Sequence, residues 1–280
     1  MAAFETLKLD QQNGVCFVTI DNPPVNVMTP RLYQELVAVT EQVEGNDSIR
    51  VVVFQSADPD FFIAHFDVNA ILTFPSDTPA VKAETLSPFH MMCERVRTMP
   101  KATIVKMAGR AGGGGNEFAA SCDMRFGVRH KTIINQMEVP LGILPGGSGT
   151  QRLPRLVGRG RALEICLGGD DIDAETCERW GYLNRIFETP KAMSTFVDNL
   201  AFRIAGWPAE AIALCKAAIN NAELPIEDGL LEEAYLFQQT LRTSGAQDNM
   251  RRALAQGLQT KAGELRMGAL AAEFAQPDER

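Results

Sequence analysis

The first two thirds of the chain alternate short apolar runs with segments in which apolar residues recur at helical spacing. One run contains Val51–Phe54, four consecutive apolar residues of the kind found in strands that are buried on both faces of a sheet. Alternation of such strands with helices predicts an α/β fold. The predicted strands are Gly14–Ile20, Ile49–Gln55, Thr103–Ala108 and Met124–Val128.

The helices are predicted from the spacing of apolar residues and from the residues that favour a helix N-terminus. A helix is predicted to begin after Thr29, because Pro30 suits the first helical position and apolar residues recur every three or four positions behind it. Residues 73–88 follow neither period and predict an irregular surface segment near a cleft. From about residue 190 helical periodicity takes over. We therefore expect a core, residues 1–195, followed by a helical C-terminal region, residues 196–280.

Composition and charge restrict the class of protein. The 280 residues are 45% hydrophobic and 22% charged, as in an ordinary globular protein with one sizeable core. The net charge of −8 argues against a broad nucleic-acid-binding surface. No apolar run is long enough to span a bilayer and the first residues lack signal-peptide features, so we expect a cytoplasmic protein without a membrane segment. The six cysteines lack metal-ligand spacing and are expected to be buried, reduced thiols.

The glycine run Gly112–Gly115 is the first candidate for chemistry. Helix-tolerant residues follow it, so the glycines are predicted to lie where a helix begins, with unpaired N–H groups and the positive end of the helix dipole. Glu117 stands within one helical turn, and a carboxylate beside an oxyanion donor favours carbonyl chemistry. A tight turn or a close-packing site is the alternative. No Gly-Lys-Ser/Thr follows and Glu117 occupies the third glycine position of the dinucleotide fingerprint, which argues against both phosphate-binding loops.

Three further segments carry candidate residues. They are Phe61–Val68, Gln136–Gly142 and Leu144–Pro154. Together with Gly109–Asp123, they resemble the crotonase superfamily of enoyl-CoA hydratases and isomerases, in order, over about residues 15–220, and Pro145–Leu153 is the most specific part. The resemblance implies a crotonase-like α/β fold, a spiral of ββα turns with a helical C-terminal region.

The resemblance also implies a catalytic arrangement. In the family, two backbone N–H groups hold the thioester oxygen of an acyl-CoA, and by motif position they belong here to Phe66 and Gly114. Such donors stabilise the charge that this oxygen gains during reaction. Hydratases of the family carry two glutamates, which correspond to Glu117 and Glu138 and can act on one water as general base and acid. Taken alone, Glu138 would be a surface carboxylate opening a turn before Pro140.

Coenzyme A is expected to be held mainly through backbone groups. The resemblance implies contacts from Pro24, Val25, Val27, Ala64 and Asp67. Asp67 is expected to cap or orient its loop rather than to react. Candidates for phosphate contacts are Arg31, Lys101 and residues 129–131, with solvated surface charges as the alternative. No metal or separate cofactor is implied, since CoA is part of the substrate.

Two positions depart from the family pattern, and a third segment is a candidate for the pocket that binds the acyl chain. His65 stands where a small residue, commonly glycine, precedes the first oxyanion donor. It can be a satisfied loop histidine, can narrow the thioester site, or can act as an extra acid or base near neutral pH. Phe66 is bulkier than the usual alanine but keeps its N–H. Residues 90–92, a histidine and two methionines, are candidates for an acyl pocket, with helix packing as the alternative for the methionines.

The leading functional hypothesis is an enoyl-CoA hydratase that adds water reversibly to a 2-enoyl thioester. The nearest alternative is isomerisation, which needs one shuttling carboxylate at the position of Glu138. Hydrolysis or C–C cleavage assisted by His65 comes next, and a catalytically silent acyl-CoA-binding protein is the alternative from another class. The resemblance further implies self-association as a trimer or a dimer of trimers.

Overall fold

The computed structural model describes residues 4–274, which form ten strands in two sheets, thirteen α-helices and two short 3₁₀ helices. The strands are β1 (Leu7–Gln12), β2 (Val15–Ile20), β3 (Val51–Ser56), β4 (Phe61–Ile63), β5 (Ala102–Met107), β6 (Arg110–Gly112), β7 (Met124–Val128), β8 (Ile133–Asn135), β9 (Ile172–Asp173) and β10 (Arg185–Phe187). The helices are α1 (Pro30–Glu44), α2 (Val68–Ile71), α3 (Pro88–Thr98), α4 (Gly113–Ser121), α5 (Gly149–Val157), α6 (Arg159–Gly168), α7 (Ala174–Trp180), α8 (Pro190–Ala205), α9 (Ala209–Asn220), α10 (Ile226–Leu241), α11 (Ser244–Ala255), α12 (Lys261–Glu264) and α13 (Met267–Phe274). In this described part of the chain, no helix combines the length and the apolar character that crossing a membrane requires.

From β3 to β8, successive strands belong alternately to the two sheets. The first sheet has the order β1-β2-β3-β5-β7-β10, and the second has the order β4-β6-β8-β9. The sequence β3, β4, α3 is followed by β5, β6, α4 and then by β7, β8, α5, so that each repeat gives one strand to each sheet and then a helix. The predicted spiral of ββα turns is therefore confirmed.

The first sheet is buried on both faces. Val52 and Phe54 contribute to an apolar cluster with α1 and α3, whereas Val51 and Val53 contribute to a second cluster with α8. Successive side chains of a strand point to opposite faces, and this explains the uninterrupted apolar run.

The structure confirms the long predicted elements. Each predicted strand is found to within two residues at either end. Thr29 caps α1, since its hydroxyl accepts a hydrogen bond from the N–H of Leu32 at 3.2 Å. Residues 73–87 contain neither helix nor strand, as predicted. The short strands β4, β6 and β8 were not predicted from the sequence.

The predicted division of the chain at residue 195 lies inside α8. This helix packs on the first sheet through Met193, Val197, Ala201 and Ala205, on both sides of that residue. Within the described chain, only helices and turns follow β10. Residues 1–3 and 275–280 lie outside the described residues, and the two-region division stays a prediction.

The start of α4 packs closely against β4. A methyl group at Gly115 would overlap the carbonyl oxygen of Ile63, and Gly113 has a φ of +44°, which L side chains rarely adopt. One turn later, Phe118 packs edge-on against Phe54 with ring centroids 5.0 Å apart. The glycine run thus serves both as a helix start and as a close-packing site.

One buried asparagine fixes the loop between β2 and α1. Asn26 is 1% exposed, and its side chain accepts a hydrogen bond from the N–H of Asn22 at 2.8 Å. Its amide nitrogen donates to Ser56 Oγ at 2.8 Å and to the carbonyl oxygens of Phe61 and Phe62 at 3.3 and 3.2 Å. These bonds join the loop to the end of β3 and to β4.

Asn26→Ala is expected to lower the free energy of unfolding by about 3 kcal/mol, because it leaves buried polar groups without partners. Asn13→Ala is the matched control: Asn13 also has a left-handed backbone, with φ 49° against 53° for Asn26, but it is exposed. Its cost is expected to be about 1 kcal/mol. Urea unfolding of both variants measures the difference, and equal losses would contradict the role given to Asn26.

Candidate active site

Three predicted site segments meet at one edge of the second sheet. Strands β4, β6 and β8 are parallel neighbours. Phe66 comes three residues after β4, Gly114 two residues after β6, and Glu138 three residues after β8. Because the carboxyl ends of parallel strands form a common edge, the topology brings together residues that are distant in sequence.

Two backbone hydrogen bonds set the direction of the Phe66 N–H. The N–H of Met28 donates to the carbonyl of His65 at 2.8 Å, and the carbonyl of Met28 accepts from the N–H of Asp67 at 3.1 Å. The carbonyl and the N–H of one trans peptide point in opposite directions, so the first bond turns the Phe66 N–H away from Met28. The Phe66 nitrogen faces α4 and would lie 3.6 Å from a methyl group at Gly114.

The N–H of Gly114 belongs to the first turn of α4, where N–H groups lack intrahelical acceptors. Among residues 4–274, we find no protein acceptor for the N–H of Gly114 or of Phe66. The two donors are neighbours, and the helix dipole places its positive end beside them. This arrangement can stabilise an oxygen that gains negative charge.

Glu117 lies one turn further along α4 and is 3% exposed. Its Oε1 accepts hydrogen bonds from the N–H groups of Gly147 at 2.9 Å and Gly149 at 2.7 Å, in the turn that leads into α5. A methyl group at Gly147 would overlap Glu117 Oε2 and the ring of Phe89, so this glycine leaves the space that both side chains occupy. Burial, with a contribution from the charge of Glu138, raises the pKa of Glu117 to about 7.

Glu138 is 9% exposed and adjoins the start of α4. Its Oε1 would lie 2.8 Å from a methyl group at Gly113. Its Oε2 is buried and has no hydrogen-bond partner within the described part of the chain. Burial raises the pKa of Glu138, while the nearby His65 acts in the opposite direction. Because its pKa is about 7, Glu117 can hold a proton at neutral pH, as general acid catalysis requires.

The predicted CoA-binding residues lie on two adjoining loops. Pro24 is exposed and Val25 and Val27 are half-buried in the loop before Met28, which bonds to the segment after β4. That second segment carries the other two, Ala64 and Asp67, a buried alanine and a half-buried aspartate. Asp67 accepts a hydrogen bond from the N–H of Asn69 at 2.8 Å and so caps α2, which confirms the capping role predicted for it.

Two candidates for phosphate contacts are engaged elsewhere. Lys101 is 4% exposed, and its ammonium group donates to the carbonyl oxygens of Asn46 and Ile49 at 2.7 and 2.9 Å. Its role is therefore to hold the loop before β3. Lys101 is neither a phosphate contact nor a solvated surface charge, so both predictions for it were wrong. Arg129 forms ion pairs with Glu175 and Glu188 at 3.1 and 2.8 Å.

Sequence patterns missed an aromatic cluster beside the site. Tyr33 and Phe89 are stacked with ring centroids 5.9 Å apart, and Phe66 is edge-on to both at 6.0 Å. The Phe89 ring would contact a methyl group at Gly114 at 3.6 Å. Met92, a candidate for the acyl pocket, is instead fully buried in the core. The helical periodicity of α3 does not distinguish Phe89, which lies at the site, from Met92, which lies in the core.

Glu117→Gln is expected to stabilise the fold by about 2 kcal/mol at pH 8 and by little at pH 5. The folded-state pKa of about 7 exceeds the ordinary value of 4.5, so stability falls as pH rises through this window. Glutamine keeps the acceptor oxygen for both glycine N–H groups and removes the buried charge. Urea unfolding at both pH values measures this, with Glu164→Gln at an exposed position as control. A difference that does not depend on pH would contradict the assignment.

Comparison with known families and sequences gives consistent matches. Residues 10–260 match the enoyl-CoA hydratase/isomerase family. A short-chain-enoyl-CoA hydratase of Clostridium acetobutylicum is 30% identical over 244 residues, which are 86% of this chain and 92% of that protein. A probable enoyl-CoA hydratase of Mycobacterium leprae is 28% identical over 257 residues, which are 88% of this chain and 94% of that protein.

Solved structures show the same fold. A putative enoyl-CoA hydratase from Streptomyces avermitilis is 36% identical with a TM-score of 0.70, over 98% of this chain and 99% of that chain. An enoyl-CoA hydratase subunit I from Geobacillus kaustophilus is 28% identical with a TM-score of 0.82, over 91% of this chain and 97% of that chain. The crotonase-like fold is thereby confirmed, and the chain belongs to the enoyl-CoA hydratase/isomerase family.

Proposed function

We propose that the protein is an enoyl-CoA hydratase, which adds water reversibly across the double bond of a 2-enoyl-CoA thioester. The observation that carries this proposal is the pair of buried carboxylates, Glu117 and Glu138, at the edge where two free N–H groups converge. Burial raises the pKa of both carboxyl groups, and that of Glu117, at about 7, lets it accept or donate a proton near neutral pH.

The thioester oxygen would lie between the N–H groups of Phe66 and Gly114. A water held by the two carboxylates attacks C3: one carboxylate takes a proton from the water, and the other delivers a proton to C2. The thioester oxygen carries the enolate charge between these steps, and removal of one such donor typically costs about 3 kcal/mol of transition-state stabilisation. The unpartnered Oε2 of Glu138 is a suitable acceptor for that water.

Glu117 has a matching geometry. Its Oε1 is fixed by the two glycine N–H groups, so a proton on this residue resides on Oε2. Isomerisation would use Glu138 alone, and the hydrogen bonds that hold Glu117 in place would then have no catalytic role. This support favours hydration over isomerisation.

In the same proposal, CoA is bound by the loop carrying Pro24, Val25 and Val27 and by the segment carrying Ala64 and Asp67. CoA is part of the substrate, and no separate cofactor takes part. Five of the six cysteines are buried and none of the six forms a disulfide, which suits the reducing cytoplasm.

Self-association as a trimer or a dimer of trimers is part of the proposal. Helix α10 has no residue that the rest of the described chain buries. Its Ile226, Leu231 and Phe237 are 74, 71 and 61% exposed. Apolar side chains clustered on an exposed helix are typical of an interaction surface, and the net charge of −8 does not favour a nucleic-acid partner.

The purified protein is expected to hydrate crotonyl-CoA, measured as loss of the enoyl absorbance. Glu117→Gln and Glu138→Gln are each expected to lower kcat by about 10³-fold, since each removes a proton-transfer group. Glu164→Gln is the exposed control and should retain full activity. Tight CoA binding without turnover of any enoyl thioester would contradict the proposal and support a silent acyl-CoA-binding protein. Isomerisation of a 3-enoyl thioester that survives in Glu117→Gln would support an isomerase.

Light scattering coupled to size-exclusion chromatography tests the assembly. The wild-type mass is expected to be three or six times that of the chain, and the double variant Leu231→Lys, Phe237→Lys is expected to lower it, because buried lysines oppose apolar contact. Glu232→Lys, on the same helix, is the charge control. A monomeric wild type, or a double variant of unchanged mass, would count against this interface.

A further inference from the structure

The imidazole ring of His65 is held in one orientation at the first oxyanion donor. Its Nδ1 lies 2.8 Å from the carbonyl oxygen of Phe66. A carbonyl oxygen only accepts hydrogen bonds, so Nδ1 carries the proton, and Nε2 has the free lone pair whenever the ring is neutral.

With this hydrogen bond, the peptide groups on both sides of Phe66 are held in place. The peptide before Phe66 is held by the N–H of Met28, and the peptide after it is held by the carbonyl of Met28 and by the ring of His65. Loss of the ring would free the second peptide on one side. The direction of the neighbouring N–H would then be less well defined.

The same side chain adjoins the second glutamate. A methyl group at Gly113 would lie 3.4 Å from His65 Cβ and 2.8 Å from Glu138 Oε1, so the two side chains flank one glycine. A positive charge on the ring favours the ionised form of Glu138 and opposes the effect of its burial on the pKa.

We propose that His65 is a positioning residue for both halves of the site: its ring orients the Phe66 peptide, and in its protonated form the same ring stabilises the carboxylate of Glu138 across Gly113. This inference rests on the proposed hydratase function. His65 is not required to touch the substrate, which separates it from the proton-transfer groups.

Among the titratable groups around this position, the charge of His65 acts on the pKa of Glu138 and is not among the causes that shift the pKa of Glu117. Glu117 faces Glu138 from α4, but its Oε1 is bound by backbone N–H groups. Asp67, in the same loop, accepts the N–H of Asn69. The Cys166 thiol on α6 adjoins both glutamates, and burial raises its pKa to about 11, so it is neutral at working pH.

Two substitutions separate the hydrogen bond from the charge. In His65→Asn, the side-chain amide nitrogen can take the place of Nδ1 as a donor, but the side chain carries no charge. In His65→Ala, both the donor and the charge are removed. Glu164→Gln is again the control, since Glu164 is exposed and lies outside the site.

With crotonyl-CoA, His65→Ala is expected to lower kcat by about 30-fold with a smaller change in KM, because oriented donors act mainly in the transition state. His65→Asn is expected to recover kcat to within about threefold of wild type. In both variants the acid limb of the kcat/KM profile should move to higher pH, because loss of the positive ring makes Glu138 harder to ionise. Glu164→Gln should change none of these quantities.

The proposal is overturned if the acid limb is unmoved in both variants, or if asparagine is as poor as alanine in kcat. Failure of the hydratase function itself gives a different result, namely no turnover by the wild type. In that case calorimetric binding of butyryl-CoA tests the orientation directly: His65→Ala should bind more weakly than wild type and His65→Asn should not. Equal binding by all three proteins overturns the role of His65.

Discussion

The candidate site depends on the hydrogen bond from the N–H of Met28 to the carbonyl of His65. This bond fixes a peptide plane and thereby aims the N–H of Phe66 at the start of α4. This N–H has no protein partner among the described residues, so it is free to donate to a bound thioester oxygen. The Asn26 network holds the loop that carries Met28, so the direction of one N–H rests on contacts well outside the site.

The two glutamates are held in surroundings that oppose their charge. Burial raises the pKa of both, and glycines provide the space and the N–H groups that keep Glu117 in place. A fold selected only for stability would not bury two carboxyl groups side by side. Their position together at the carboxyl edge of three short parallel strands is the strongest structural reason to assign proton-transfer chemistry to this edge.

Sequence patterns were informative where the signal is local. The long strands, the start of α1 and the helix start at the glycine run all follow from periodicity and from starting residues. The three-residue strands β4, β6 and β8 are too short to show a period, and their pairing is decided by tertiary contacts. Lys101 resembles a surface residue because its carbonyl partners lie about 50 positions earlier in the chain. The motif resemblance predicted Phe66 as an oxyanion donor. The hydrogen bond by which Met28 orients the Phe66 peptide could be found only from the structure.

The most direct test of the account is the infrared carbonyl band of butyryl-CoA labelled with ¹³C at the thioester carbon. If the N–H groups of Phe66 and Gly114 both donate to the thioester oxygen, the bound carbonyl is polarised. Its band should then lie at lower wavenumber than in water, and Gly114→Ala, whose methyl group would lie 3.1 Å from Phe66 Cβ, should reverse that shift. A bound thioester whose carbonyl band coincides with the band in water would contradict the proposed oxyanion site.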